Sequence, residues 1–176
     1  MICYFIRHGQ SQANADGVLA GQLDSPLTEL GQHQAQHEGE RLAAEGWSFD
    51  IIISSPLVRA YDTAVAVANV LHYPLGDIKT DPRLMERHVG ELEGRSTGLL
   101  AEAIRTNTVG VESNQAMAAR CKAVLDDAGR DYAHKTVLLV AHAGVGEVMK
   151  GLVEDPMATN HQPGLSIPNA QAFRLL

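Results

Sequence analysis

Three short apolar runs limit what this chain can fold into. Ile2–Ile6, Ile51–Ile53 and Thr136–Val140 are too short for typical helices and rich in β-branched, aromatic or aliphatic residues, so each reads as a buried strand. The Ile51–Ile53 run, flanked by Asp50 and Ser54, has no polar interruption, as in parallel sheets covered on both faces. Helical patterns lie between the runs. One opens with Thr28 as N-cap and Glu29 in the first turn, and continues to about Glu45 before Gly46. Its apolar face is thin: Leu30, Ala35, Leu42 and Ala43, with Gly31 and Ala35 available for close packing on the sheet. Another runs from about Val58 to Leu71. A third starts at Asn114 or Gln115, ends near Ala133, and sets Met117, Cys121, Val124, Leu125 and Ala128 on one face. A fourth follows Gly144, with Val145, Val148, Met149 and Leu152 aligned. Ile78–Thr80 and Ala170–Leu175 read as further strands, and Leu99–Arg105 as a short helix. Alternation of this kind predicts an α/β architecture with a largely parallel sheet, in one domain over residues 1–176.

What breaks off each run carries chemistry. The first ends in Arg7-His8-Gly9 and the third in Ala141-His142-Ala143-Gly144. Open α/β sheets bind ligands at the carboxyl ends of their strands. An arginine there is a fixed cation with a planar fork of donors suited to phosphate. A neutral imidazole beside it can attack phosphorus or hold a metal. The small-residue turn at 142–144 opens a helix, whose N-terminal N–H groups suit an anion. After the second run, Ser54-Ser55-Pro56-Leu57 leads to Arg59 in the first turn of a helix. A cation opposes the dipole there, which points either to an anion held by both or to a side chain in solvent.

The connecting stretches are polar. Gln10–Ser25 reads as an ordered loop, with Asn14 near its start and Gly21 in its middle. Asp81–Glu93 is dense in charge and interrupted by Gly90, so it reads as a loop, anchored by Leu84, Met85, Val89 and Leu92. Pro156–Pro168 also reads as loop.

Charge and composition exclude several classes. The net charge is −7, which argues against nucleic acid or an anionic membrane as the main partner; any anion site must be a local basic cluster. Cys3 and Cys121 read as reduced, buried thiols. His33 and His37 are four apart on a helix, but no third ligand is evident nearby, so they read as solvated rather than as a zinc pair. No apolar run approaches membrane-spanning length and the N-terminus lacks a basic-then-apolar signal, so a cytoplasmic location is expected.

Taken in order, Arg7-His8-Gly9 with Asn14, Ser54-Ser55-Pro56-Leu57 with Arg59-Ala60 and Thr63-Ala64, Glu86 with Gly90 and Glu93-Gly94, and His142 with Gly144 resemble the histidine phosphatase superfamily, the phosphoglycerate mutase-like group. The resemblance spans Ile2 to Asn169, and Glu112-Ser113 with Arg120 fits the start of that family's long helix. It implies a three-layer α/β/α sandwich with a mostly parallel central sheet. It also implies roles. His8 would carry the phosphoryl group; Arg7, Arg59 and His142 would bind its oxygens; Glu86 would protonate the leaving oxygen and later accept a proton from water; Asn14 and the Gly21 backbone would complete the pocket. Phosphoryl transfer asks mainly for positioning and charge stabilisation, and two arginines with a charged histidine can supply these, so neither metal nor cofactor is expected. Cations around Glu86 favour its ionised form, so a bound phosphate dianion is expected to make it a competent acid.

Four positions depart from the family pattern and leave substrate specificity open: Gln10, Ala20, Leu92 and Ala143. Glu86-Arg87-His88 is similar to the true mutases, but Val89 stands where they tend to have tyrosine. Only 55 residues separate Glu86 from His142, and beyond Arg87-His88 the only cations early in that gap are Arg95 and Arg105. A weakly basic pocket would release its phosphate to water. A phosphatase acting on a small phosphorylated substrate, as a monomer or homodimer, is therefore expected ahead of a mutase or a low-turnover phospho-ligand-binding protein.

Overall fold

The computed structural model describes residues 1–155 and 167–176. Five strands make one sheet: β1 (Ile2–Arg7), β2 (Ile51–Ser54), β3 (Lys79–Thr80), β4 (Thr136–Ala141) and β5 (Ala172–Arg174). Their order is β3-β2-β4-β1-β5; all pairs are parallel except β1 with β5. The described helices are α1 (Gln12–Asp16), α2 (Glu29–Ala44), α3 (Val58–Val70), α4 (Leu100–Arg105), α5 (Asn114–Asp131) and α6 (Ala143–Glu154).

The period-2 alternation of the strands builds two cores. Cys3, Phe5, Val137, Leu139 and Ala141 point to the face covered by α5 and α6, where Met117, Cys121, Val145 and Met149 meet them. Ile6, Ile52, Leu138 and Val140 point to the other face, against Leu42 of α2 and Ala64, Val67 and Ala68 of α3. Ile52 and Ile53 go to opposite cores, which is why β2 is apolar without interruption. The result is the expected three-layer arrangement.

Several local expectations are corrected. Gln10–Ser25 is not all loop: Ser11 and Asn14 form a capping box that nucleates α1, and Gly17 ends it in the left-handed region at φ +67°. Leu30 is 52% exposed and lies outside the α2 core face. Gly31 packs on the loop after β1 rather than on the sheet: a Cβ there would lie 2.0 Å from the Gln10 carbonyl oxygen, and one on Gly9 would lie 2.3 Å from the Gly31 carbonyl oxygen. The loop expected from Asp81 holds two short 3-10 turns, Pro82–Leu84 and Gly90–Leu92. Strand β5 is shorter than its pattern suggests. Most of the loop expected over Pro156–Pro168 lies outside the described residues.

One buried carboxylate holds the sheet edge. Glu38 of α2, 4% exposed, accepts the Ala172 N–H of β5 at 2.5 Å and pairs with Arg41 at 2.8 Å. Thr28 caps α2 as expected, accepting the Gly31 N–H at 3.0 Å. Cys3 and Cys121 are both free and buried, and burial pushes each thiol up to about 12. His33 and His37 are exposed. No described helix is long and apolar enough to cross a membrane.

Candidate active site

β1 and β4 are neighbours at the centre of the sheet, yet the helices that follow them pack on opposite faces. Their carboxyl ends therefore open onto a crevice, the usual ligand position in such sheets. The register sets Arg7 opposite Ala141, and the His8 N–H donates to the Ala141 carbonyl at 2.9 Å. His8 and His142 thus emerge side by side, ring centroids 5.1 Å apart. Ser55 joins from β2, donating its N–H to the Val140 carbonyl at 2.9 Å and placing its hydroxyl 2.8 Å from His142 Nε2.

His8 is 4% exposed and its Nδ1 lies 2.6 Å from the Gly9 carbonyl oxygen. A carbonyl only accepts, so Nδ1 carries the proton and Nε2 keeps its lone pair. Burial is the main force on its ionisation and Arg59 the next, with Arg7 adding to both against the Gly9 carbonyl; together they lower His8 to about 3. Burial, with His8, Arg59, Arg120 and Arg7 behind it, also drives fully buried His142 well below the imidazole range. Burial therefore favours the neutral form of His142 in this environment.

The two arginines are aimed by backbone carbonyls. Arg59 is 2% exposed, and donates from Nη1 to Leu23 at 2.9 Å and from Nη2 to Gly21 at 2.8 Å. This decides the choice left open between solvent and site. Arg7 Nη1 donates to the Ile167 carbonyl at 2.7 Å. Burial lowers both guanidinium groups and Glu86 opposes it, but an arginine stays charged at neutral pH. Among the described residues, two buried side-chain nitrogens lack a hydrogen-bond partner: Arg7 Nε and His142 Nδ1. Buried unpaired groups cost about 1–3 kcal/mol each, and both belong to one cluster of anion-binding type.

Glu86 stands at the rim, its Oε1 accepting the Arg87 N–H at 2.8 Å and its Oε2 the Gly144 N–H at 3.2 Å. Gly144 must be small for this: a Cβ there would lie 2.6 Å from Glu86 Oε1. Gly21 sits at φ +53° under Val89, where a Cβ would lie 2.7 Å from the valine methyl. Its carbonyl is spent on Arg59. Asn14 lines the cavity, but its Oδ1 also accepts the Ser11 N–H at 3.2 Å. Arg7, His8, Asn14, Gly21, Arg59 and Glu86 share one cavity of ≈ 340 Å³, with His142 packed on His8 behind it.

The chain matches the model of the histidine phosphatase superfamily (branch 1) over residues 3–172. It belongs to that superfamily. Its relatives carry more than one activity name. A probable phosphoglycerate mutase of Photorhabdus laumondii is 36% identical over 151 residues, covering 79% of this chain and 68% of that protein. A putative phosphoserine phosphatase 2 of Hydrogenobacter thermophilus is 34% identical over 153 residues, covering 80% and 72%. Among solved structures, a mycobacterial glucosyl-3-phosphoglycerate phosphatase superposes with a TM-score of 0.84 at 27% identity, covering 98% of this chain and 90% of that one. The α-ribazole phosphatase of Shigella flexneri gives 0.81 at 27%, covering 98% and 88%.

Sequence reading did not assign the supports of this histidine phosphatase site. Thr63 accepts the Gly9 N–H at 3.1 Å and donates its hydroxyl to the Arg59 carbonyl at 2.8 Å, tying the two halves of the pocket together. Asn169 Nδ2 donates to the His8 carbonyl at 2.8 Å. Arg120 forks onto Glu112 at 2.7 and 2.8 Å and donates to the Arg83 and Met85 carbonyls at 2.6 Å each, fixing the backbone that presents Glu86. Thr63 and Arg120 stood inside recognisable motifs, but nothing local in the sequence says which backbone they hold.

Proposed function

We propose that this protein is a phosphomonoester phosphatase that works through a phosphohistidine on His8. The observation that carries this reading is the Nδ1–Gly9 hydrogen bond, which leaves Nε2 as the attacking atom of a neutral ring. Nε2 attacks phosphorus, the bond to the leaving oxygen breaks, and Glu86 gives that oxygen its proton. Water then attacks the phosphohistidine, Glu86 takes a proton from it, and the N–P bond breaks to release inorganic phosphate. Splitting one slow hydrolysis into two displacements is the gain of covalent catalysis. Arg7 and Arg59 are charged donors for the phosphate oxygens, and a dianion beside His142 would favour its charged form, adding a third. Asn14 and the Gly21 backbone complete the oxygen-binding set in this reading.

Hydrolysis is favoured over mutase chemistry by the cations present. The cavity is lined by three arginines, and the third, Arg87, commits its guanidinium to the Glu112 carbonyl and Asn114 Oδ1 at 2.6 and 3.0 Å. Arg105 is 72% exposed and paired with Glu102. Little is left to grip a carboxylate while the intermediate is returned.

Incubation with p-nitrophenyl phosphate and with 3-phosphoglycerate separates the readings. Hydrolysis of the first, with a phosphoryl adduct on His8 trapped by mass spectrometry and both lost in His8→Ala, is the expected result. Isomerisation of the second would make it a mutase; neither reaction would make it a binding protein. Turnover surviving in His8→Ala would remove His8 from the chemistry.

A further inference from the structure

The cavity is two-sided. Its inner end is the cluster of arginines and His8. Among the described residues the outer wall is mostly apolar, made by Val18, Leu19, Val89, Leu100 and Ile104, with Ser11, Thr97 and Glu147 as its polar members. This wall is a built feature. Leu19 exchanges hydrogen bonds with Arg95 and Gly94 at 2.8 Å each, Val18 bridges Ser96, and the Thr97 N–H donates to the Gly17 carbonyl at 3.2 Å. A two-stranded ribbon thus fixes the Val18–Leu19 side. Leu100 and Ile104, one turn apart on α4, face the cavity together and are half-buried, and Ala103 beside them on that helix is buried. Val89 and Leu19 are 2% and 9% exposed.

We infer that this wall receives the leaving group, and that the preferred substrate is a phosphomonoester of an apolar alcohol, cyclic or branched, rather than of a polyol or a hydroxy acid. The inference rests on the phosphatase reading for turnover, but the wall predicts binding preference whether or not turnover occurs. Hydroxyl groups placed against valine, leucine and isoleucine lose water without gaining partners. Among the described lining residues a carboxylate would meet no cation beyond the two set on the phosphate and the committed Arg87, and Glu147, which acts electrostatically on Arg7, also lines the cavity. A volume of ≈ 340 Å³ is at the small end for ligand pockets, enough for a phosphate and a single ring or short branched chain.

Two comparisons on the full chain test this. In steady-state assays, cyclohexylmethyl phosphate is set against glycerol 3-phosphate. The polyol has the more acidic leaving oxygen, so intrinsic reactivity works against the expected order. We expect kcat/KM at least about tenfold higher for the apolar ester, from differential contact in a hydrophobic pocket. Ile104→Asn should shrink that ratio by about tenfold, with circular dichroism showing the fold kept. In calorimetry, the non-hydrolysable phosphonates of the same two alcohols should differ in affinity in the same direction. Equal or reversed phosphonate affinities would overturn the apolar subsite. Discrimination between phosphonates without hydrolysis of either ester would support the subsite and overturn the phosphatase reading instead.

Discussion

His8 can serve only one way round. The Gly9 carbonyl fixes the proton on Nδ1, and the pair is itself fixed, because Thr63 holds the Gly9 N–H and Asn169 holds the His8 carbonyl. Glu86 depends on neighbours in the same manner, and here one atom matters. Adding a methyl in Gly144→Ala would press on Glu86 Oε1, at the far end of a flexible side chain, so the protein should fold normally and move the carboxyl group off its hydrogen bonds instead. Misplacing a catalytic group by about 1 Å can cost on the order of 10²-fold. Steady-state kinetics on p-nitrophenyl phosphate should therefore show kcat down roughly 10- to 100-fold, with vanadate binding, which in the proposed mechanism depends on His8 and the arginines, changed little. An equal loss in vanadate affinity would place Gly144 in oxygen binding rather than in holding the proton donor. At this scale residue type at the strand ends singled out Arg7, His8 and His142, whereas Arg59 was left open locally and Glu86 took its role from the family resemblance alone. The sequence was not legible where a residue acts through geometry: Gly144 read as a helix start, not as the space that Glu86 fills.

Helix α5 does more than close one core. Its Arg120 reaches back to two carbonyls of the 83–85 backbone and to Glu112, with side chains of Arg120 and Glu112 only 17% and 14% exposed. The pair is a strut between α5 and the segment carrying Glu86. Removing one member of a buried, bidentate pair strands the other, at about 3–5 kcal/mol. Arg120→Met should lower stability in urea by roughly 3 kcal/mol, near the lower end because the pair is not fully dry. Arg120→Lys should recover little, since a point charge cannot satisfy the carboxylate and the carbonyls together. If Arg120→Met were as stable as the parent, the clamp would contribute no energy and the Glu86 segment would be held by its other contacts, among them Leu84 packing, the Gln22 amide on the Glu86 carbonyl at 3.0 Å and the Arg87 hydrogen bonds. Element by element, the long periodic stretches were readable. Thr28 capped α2 and the α5 stripe of Met117, Cys121 and Val124 went to the core as spaced. What escaped depended on partners distant in the chain. Glu38 reads as one more charge on a polar helix until β5 arrives 134 positions later to donate its N–H. Helix α1 escaped for a local reason: a five-residue helix has too little periodicity, although its Ser11–Asn14 capping box was in view.

Across the whole molecule the charge balance is inverted at the site. A body with a net charge of −7 concentrates half-buried Arg7 and buried Arg59 and Arg87 around two neutral imidazoles. Such a centre has a consequence for stability. His8 titrates near 6.5 in the unfolded chain and at about 3 in the fold. Above pH 6.5 both states are neutral and stability does not depend on this ring. Between 6.5 and about 3 the unfolded chain takes up a proton that the native state refuses, so stability falls as the pH falls, by up to about 1.4 kcal/mol per pH unit for one such group. His142 is shifted the same way and adds to the slope. Carboxylates held below their usual range, Glu112 and Asp81 among them, act in the same direction, starting below about pH 5.5 and dominating only below about pH 4.5. The imidazoles therefore set most of the slope between about pH 6.5 and 4.5. Urea denaturation across that range should show stability dropping by a few kcal/mol, on the order expected for two such groups. His8→Asn should reduce the slope by about half, whatever it does to the absolute stability. An unchanged slope in that variant would mean that His8 titrates alike in both states, so that burial and Arg59 do not hold the ring neutral below pH 6.5.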